Sequence, residues 1–417
     1  MIKHSLLYML AEVINKAIPF LLLPLLTKYL TPYDYGVIAS FSAFVGFVYL
    51  FINMSMHGVI NVNFFKMDHM QLNRYLFNAL GVLTAASLLA VMVVFVLQGP
   101  LSSSLLLDAE WLYLGVVVAL SKVVTIIHLT LWIAEKKPKE YGLYQIMQTL
   151  LSTAMAVILV VGYRYDWRGQ VIAVAIASIV FALVSLSFFF RRGALHGRYA
   201  AEDVKDLLQF GVPMIPHQLS GWLISSGDRL LLIAMIGASA TGLFSVGYQV
   251  GMVMGVLVTA FQKVWNPYIY EKLSKPISQE MKLRIVKWTY GYFALLVLLV
   301  VFLDQIAYYI FSYWIDTNFT DAYRYVVYIL IMYAFNGMYF MVVGYLFYFK
   351  KTKVLATITF TNALLHVGLS YLLIRIYGAI GVAYSGIISY AIMFVAVWIY
   401  SHRIYPMPWG LGLLGRR

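Results

Sequence analysis

The sequence predicts an all-α integral membrane protein of about twelve transmembrane helices, arranged as two parallel-repeat six-helix bundles. Three observations carry that prediction. Of the 417 residues, 62% are hydrophobic and only 11% charged, with a mean hydropathy of +0.83, which is more apolar surface than a water-soluble core can absorb. Apolar blocks of about twenty residues, enough to cross roughly 30 Å of hydrocarbon at 1.5 Å per residue, alternate with polar connectors. Three local patterns recur in the same order in the two halves of the chain.

The blocks place spans at 5–27, 35–56, 74–97, 111–134, 141–162, 170–190, 212–236, 240–262, 288–311, 324–348, 354–374 and 379–401. Lysine and arginine then fix the orientation, because cytoplasmic connectors are enriched in both. With the N-terminus inside, Lys28, Arg164, Arg168, Arg324 and Arg375 fall on the outer side, and Lys16, Lys122 and Arg229 fall within spans. The remaining 22 of the 30 lie on inner connectors and termini, Lys3, Arg416 and Arg417 among them. Both termini are therefore expected in the cytoplasm. The net charge of +13 reflects this sidedness, and since the basic residues form no stripe on a soluble domain, nucleic acid is not an expected partner. The first span lacks a small-residue cleavage site and continues through Pro19 and Pro24, so it reads as a retained helix. The absence of cysteine excludes disulfides, thiolate metal sites and cysteine nucleophiles.

The repeated patterns are LTPYDYGVIASFS (30–42) with IGASATGLFSVGY (236–248), KKPK (136–139) with KKTK (350–353), and YDWRGQVIA (165–173) with YGAIGVAYS (377–385). They set Gly36 opposite Gly242, Gln148 opposite Asn362 and Gly169 opposite Gly381, at offsets of about 206, 214 and 212. An even number of spans separates equivalent points, so both bundles face the same way. The expected organisation is an N-terminal bundle over 1–190, a cytoplasmic linker over 191–206, and a C-terminal bundle over 207–417. The linker, RRGALHGRYAAEDVKD, mixes charge of both signs like an interfacial amphipathic segment.

Ionisable groups inside a span cost roughly 2.5–3.5 kcal/mol each on insertion scales, so each needs a partner or a watery cavity. Glu12 and Lys16 lie four residues apart on one face of the first span, beside Asn15, and can pair. Lys122 sits about twelve residues from either end of its span, with Thr125 and His128 nearby, which favours a water-filled cavity over snorkelling. Asp228 and Arg229 are sequence neighbours, about 100° apart on a helix, so at least one needs another partner. His217 lies about three turns before Asp228 on the same face; a core histidine and a proton-relay group are both open readings. Asp304 lies nearer the outer end of its span, where hydration suffices. Tyr333, Tyr339 and Tyr345 share one span, where phenolic rings either pack or stack on sugars. Pro19, Pro24, Pro213 and Pro216 kink the two charge-bearing spans that the repeat makes equivalent, the first and the seventh, and Pro267 follows the eighth. No catalytic constellation and no metal-ligand cluster stands out.

Taken together, LLPLLTKYLTPYDYG (22–36), FGVPMIP (210–216), SSGDRLLLIAMIGASATGLFSVGY (225–248), LFYFKKTK (346–353) and RIYGAIGVAYSGIISY (375–390) resemble the O-antigen and polysaccharide flippases, Wzx-type, of the multidrug/oligosaccharidyl-lipid/polysaccharide (MOP) exporter superfamily. The resemblance implies a MATE-like fold and a bacterial inner-membrane location. It implies an undecaprenyl-diphosphate-linked glycan, of an O-antigen, capsule or exopolysaccharide, moved from the cytoplasmic to the periplasmic leaflet. It further implies a cationic cavity, which assigns Lys16, Lys122 and Arg229 to the substrate, and H+ or Na+ coupling, for which Glu12, Asp228 and His217 are the candidates. A polysaccharide polymerase and a chain-length regulator are the implied protein partners. A drug or metabolite antiporter of the same superfamily would need an anionic interior, and a polytopic polymerase or glycosyltransferase would need a large outer loop. Here the interior is more basic than acidic, and the outer connectors are short.

Overall fold

Side-chain caps placed outside the apolar blocks set where several of the helices begin, so those helices run longer than the hydrocarbon they cross. The computed structural model describes residues 2–410, with side chains from residue 11 onward; Arg416, Arg417 and the side chain of Lys3 lie outside that set. In chain order the helices are α1 (Ile2–Leu26), α2 (Pro32–Asn53), α3 (Met56–Phe64), α4 (His69–Leu105), α5 (Ala109–Ala134), α6 (Pro138–Ala156, extended by a π-helical turn to Gly162) and α7 (Trp167–Arg191). There follow α8 (Ala201–Trp222), a π-helical turn (Leu223–Gly227), α9 (Asp228–Met235), α10 (Ala238–Gly251), α11 (Val253–Leu273), α12 (Gln279–Tyr313), α13 (Tyr323–Tyr348), α14 (Thr352–Tyr377) and α15 (Gly381–Ile404). No strand occurs among the described residues.

Counting α2 with α3, α8 with α9, and α10 with α11 as single broken rods gives the twelve rods the apolar blocks predict. Nine stretches among the described residues are long and apolar enough to span a bilayer, the last of them folding back as α14 and α15. The two rods outside those nine are α1 and α8–α9, which carry Glu12 with Lys16 and Asp228 with Arg229.

Local chemistry accounts for the overhangs. Thr31 and Asp34 form a reciprocal cap at the start of α2, with Pro32 at the first helical position. Asp68 and Gln71 repeat the device and start α4 ahead of its apolar block. Ser278 caps α12, so Lys282, Arg284 and Lys287 ride on helical turns outside the block. Pro267, expected beyond a helix end, lies inside α11.

By packing, the chain divides after Gly242 into unit 1, Met1–Gly242, and unit 2, Leu243–Arg417. In unit 1, α5 is the hub: it packs on α2, α3, α4, α6 and α7, and Leu112, Val118, Ala119 and Val123 are fully buried at its centre. A Cβ at Gly115 would stand 2.8 Å from the Phe44 ring, the small-residue packing that holds helices together where lipid supplies no hydrophobic drive. In unit 2, α13 takes the corresponding place against α11, α12 and α15.

The repeat is visible in backbone detail. α5 and α13 each have 26 residues and start 214 residues apart, as do α6 and α14, and α7 and α15. Lys136 and Lys350, also 214 apart, both take left-handed φ values of 58° and 55°. The turns around them share hydrogen bonds, Lys137 N to Trp132 O and Lys351 N to Leu346 O, each 2.8 Å. Gly169 and Gly381 approach the backbones of Leu159 and Leu373, which are likewise 214 apart.

Side chains at the repeated corner differ. In unit 1, Glu135 is joined by Arg192 and by Lys137, the latter at 2.7 Å. Burial works to raise the Glu135 pKa, but hydrogen bonds and charge from Lys137 and Arg192 outweigh it and hold the carboxyl below the usual range. In unit 2 the corner is aromatic: Phe349 stacks on Tyr405 with centroids 5.7 Å apart.

The linker is strapped to unit 1. Arg74 grips Asp203 with two bonds of 3.0 Å, Asn78 adds a third of 3.0 Å, and Ala200 N donates to Asn78 Oδ1. One turn on, Asp206 accepts from Tyr75 OH at 2.7 Å and from Asn63 at 3.3 Å. Asp203→Ala removes the carboxylate that accepts three charge-assisted bonds and is expected to cost about 1–3 kcal/mol. A fall of several degrees in the thermal midpoint of the detergent-purified protein checks this; an unchanged midpoint contradicts the strap.

Candidate functional site

Lys122 stands near the midpoint of α5, between buried Ser121 and Val123, yet is itself exposed. At 1.5 Å per residue the helix ends are roughly 18 Å away, farther than a lysine stem reaches toward an interface. Since α2, α3, α4, α6 and α7 cover its other sides, the ammonium leaves α5 along the strip that unit 1 keeps open.

His128, two turns on, is not on that strip. It is buried, with Nδ1 3.0 Å from Ser185 Oγ and its ring stacked on Phe188 at 4.1 Å. Tyr144 OH completes the cluster, 2.7 Å from Ser185 Oγ. These contacts join α5, α6 and α7, and they make His128 a core residue of unit 1.

The π-helical turn Leu223–Gly227 places Asp228 and Arg229. It widens the backbone just before them, a feature that recurs at functional positions in helices. Asp228 is buried and Arg229 half-buried, with Arg229 Nη1 donating to Ser225 O at 2.7 Å. Before the turn, Trp222 packs on Phe47 of α2 with centroids 5.2 Å apart, and its Nε1 would meet a Cβ at Gly46 at 3.0 Å. The buried indole N–H has no hydrogen-bond partner among the described residues.

Lys16 is exposed and Glu12 half-buried on α1, which packs along α6; Asn15 Nδ2 donates to Gln145 Oε1 at 3.1 Å. His217 is exposed on α8. All six candidate residues thus belong to unit 1, on four helices, α1, α5, α8 and α9: α6 neighbours both α1 and α5, and α2 neighbours both α5 and α9.

Two features escape a reading of hydropathy alone. Met54 and Ser55 adopt left-handed φ values of 42° and 54° and break α2 from α3, with Gln218 Nε2 donating to Ser55 Oγ at 2.7 Å from α8. The only sequence signal is the run of Asn53, Ser55 and His57 in an apolar span. The second is the Asp203 and Asp206 strap, whose carboxylates resemble ordinary linker charge.

Asp304 accepts from Tyr323 OH at 3.1 Å toward the C-terminal end of α12. Of the interior tyrosines, Tyr345 is 1% exposed and stacks on Tyr405, so it is core. Tyr333 and Tyr339 are half-buried, and Tyr333 OH lies 2.7 Å from Tyr248 OH. No group of His, Asp or Glu able to hold a metal ion occurs among the described residues.

A twelve-rod helical array with ionisable side chains inside its spans defines a multi-pass helical membrane protein. The chain belongs to the polysaccharide biosynthesis protein family, whose model matches residues 1–273. It is 22% identical over 372 residues, 88% of this chain and 89% of the relative, to "Lsg locus putative protein 1" of Haemophilus influenzae. Among solved structures it is similar to the lipid II flippase MurJ in an inward closed conformation, with a TM-score of 0.75, 12% identity, and coverage of 96% of this chain and 87% of that one. An inward-facing multidrug resistance MATE family transporter of the MOP superfamily matches with a TM-score of 0.69 at 15% identity, over 94% and 98% of the two chains.

Proposed function

We propose that this protein is a flippase that carries undecaprenyl-diphosphate-linked oligosaccharide repeat units from the cytoplasmic to the periplasmic leaflet of the bacterial inner membrane. The observation that carries the reading is Lys122, an exposed cation at mid-helix in the hub of unit 1, in a chain of the polysaccharide biosynthesis family. A diphosphate cannot cross hydrocarbon with its charge unmet. Lys122, with Lys16 and Arg229, offsets the hydration the headgroup loses, while the polyprenyl tail stays in lipid.

In this reading 1–190 and 207–417 are the two bundles of an alternating-access device and 191–206 is the segment between them. Both termini lie in the cytoplasm. Glu12, Asp228 and His217 are the groups through which H+ or Na+ would couple to transport, and a polymerase with its chain-length regulator would receive the product. The test is deletion in the source bacterium followed by mass analysis of lipid-linked glycans. Accumulation of a complete repeat unit on undecaprenyl diphosphate, with loss of surface polymer, is the expected result. Normal polymer, or accumulation of truncated intermediates only, counts against it.

A further inference from the structure

Unit 2 carries a basic and aromatic patch at the end where α11 finishes and α12 begins, and the internal repeat indicates what belongs on it. Asp68 caps α4 and Ser278 caps α12, so the two helices start in register, 210 residues apart, and Arg74 of unit 1 matches Arg284 of unit 2. Arg74 has its anion: the Asp203 carboxylate accepts two bonds from it, each 3.0 Å. Arg284 is differently placed. Its side chain is 53% exposed and, among the described residues, its acidic partner is Glu280 on the same helix, at 3.5 Å. The segment after α15 engages Lys282 instead, which donates to Pro406 O at 3.3 Å and lies over the Tyr405 ring.

The surroundings of Arg284 are those of a lipid headgroup. α11 and α12 both pack on α13 and are bridged by rings, Phe261 on Tyr292 at 4.0 Å and Tyr268 beside Trp288 at 5.6 Å. Lys272 Nζ stands over the Tyr268 ring at 5.4 Å, and the Arg284 charge is felt at the same phenol from α12. Lys275, in the turn between the helices, and Lys287, one turn beyond Arg284, are exposed. Against these four cations stand two carboxylates, Glu271 and Glu280, which are 73% and 84% exposed and lie 3.9 Å from Lys272 and 3.5 Å from Arg284. A zwitterionic headgroup would leave the excess positive charge unmet; an anionic one neutralises it.

Beyond Arg284 the exposed stripe of α12 turns apolar, through Trp288, Leu295, Leu298 and Phe302 to Tyr309. Trp288 and Tyr309 are 21 residues apart, roughly 30 Å along a helix, which is the hydrocarbon thickness that separates two aromatic belts. Arg284 and Lys287 therefore sit at headgroup level. Just past Trp288 the stripe is shallow: Gly291 and Ala294 are exposed, and nothing lies within 4 Å of a Cβ at Gly291. An acyl chain has room there. We propose that this patch binds an anionic phospholipid of the surrounding bilayer, with Lys272 and Arg284 on its phosphate, Tyr268 and Trp288 against its glycerol, and one acyl chain along Gly291 and Ala294. The lipid supplies in unit 2 the anion that Asp203 supplies in unit 1.

The full-length protein, purified in detergent, is titrated with phosphatidylglycerol or with phosphatidylcholine of the same acyl chains, and bound lipid is counted by native mass spectrometry. The wild type is expected to prefer phosphatidylglycerol, and Arg284→Gln and Lys272→Gln each to weaken that binding about fivefold, the effect of one cation at a membrane surface. Lys139→Gln, which removes an exposed lysine of unit 1, leaves it unchanged. Equal binding of the two lipids by the wild type overturns the site. So does an equal loss in Lys139→Gln and Arg284→Gln, because basic charge anywhere on the protein would then suffice. A polyprenyl diphosphate is the other membrane source of phosphate, and undecaprenyl diphosphate is added as competitor. Phosphatidylglycerol that stays bound supports the phospholipid; its displacement mole for mole, with the competitor weakened in the same two variants, assigns the patch to the polyprenyl lipid and overturns the proposal.

Discussion

Lys122→Ala is expected to abolish surface polysaccharide while leaving the protein at its normal level in the membrane. Removing a mid-span lysine lowers the cost of insertion by roughly 2.5–3.5 kcal/mol, so failure to insert would not explain a loss. The side chain is exposed, and its truncation leaves the packed neighbours Ser121, Val123 and Val124 in place. What disappears is the charge that the proposed flippase sets against the diphosphate. Truncating one member of a desolvated charge pair costs about 2–5 kcal/mol, a loss of roughly thirty- to several-thousand-fold. Lys122→Arg keeps the charge on a longer, planar group and should retain part of the transport. Arg229→Ala is expected to act in the same direction, with a larger packing consequence because Arg229 is half-buried where Lys122 is exposed. Quantifying polymer against membrane-protein level in each variant decides the matter; wild-type polymer in both alanine variants would remove the cationic cavity from consideration.

The rods were legible because hydropathy reads the solvent, and lipid imposes a simple rule on any chain crossing it. The places where the helices actually begin were less so, because Asp68 and Ser278 cap α4 and α12 by hydrogen bonding, which hydropathy does not register. Among the charges, spacing alone put Lys122, Thr125 and His128 together; packing then separated them, sending His128 to Ser185 and leaving Lys122 on the open strip. The π-helical turn before Asp228 has no sequence mark beyond two serines and a glycine. It adds a residue to the turn, and that shift decides which way Asp228 and Arg229 point. The repeat was readable at its glycines and lysines because a tight turn tolerates few alternatives, whereas Lys136 and Lys350 in left-handed backbone were not predictable from residue type.

Gly36→Ala and Gly242→Ala are expected to be the most destructive single substitutions outside the charged positions. The two glycines, matched by the internal repeat, touch backbone to backbone within unit 1. A Cβ at Gly36 would overlap the carbonyl oxygen of Ala238 and lie 2.8 Å from its Cα. A Cβ at Gly242 would overlap the carbonyl oxygen of Pro32, 2.8 Å from its carbonyl carbon and 2.9 Å from Gly36 N. Flexible side chains can swing aside to admit a methyl group, but here both obstacles are helix backbone, Pro32 at the capped start of α2 and Ala238 at the start of α10. Relief would require the two helix ends to separate, so the cost should exceed the about 1–3 kcal/mol typical of overpacked side chains. Close approach of small residues is also what holds these helices together in lipid, and separation would forfeit it. The measurement is membrane-protein level and thermal midpoint in detergent, with Gly81→Ala as the control, since nothing lies within 4 Å of a Cβ at Gly81. Both repeat glycines should lose most of the folded protein while the control loses none; wild-type stability in Gly36→Ala would mean that the start of α10 does not rest on α2.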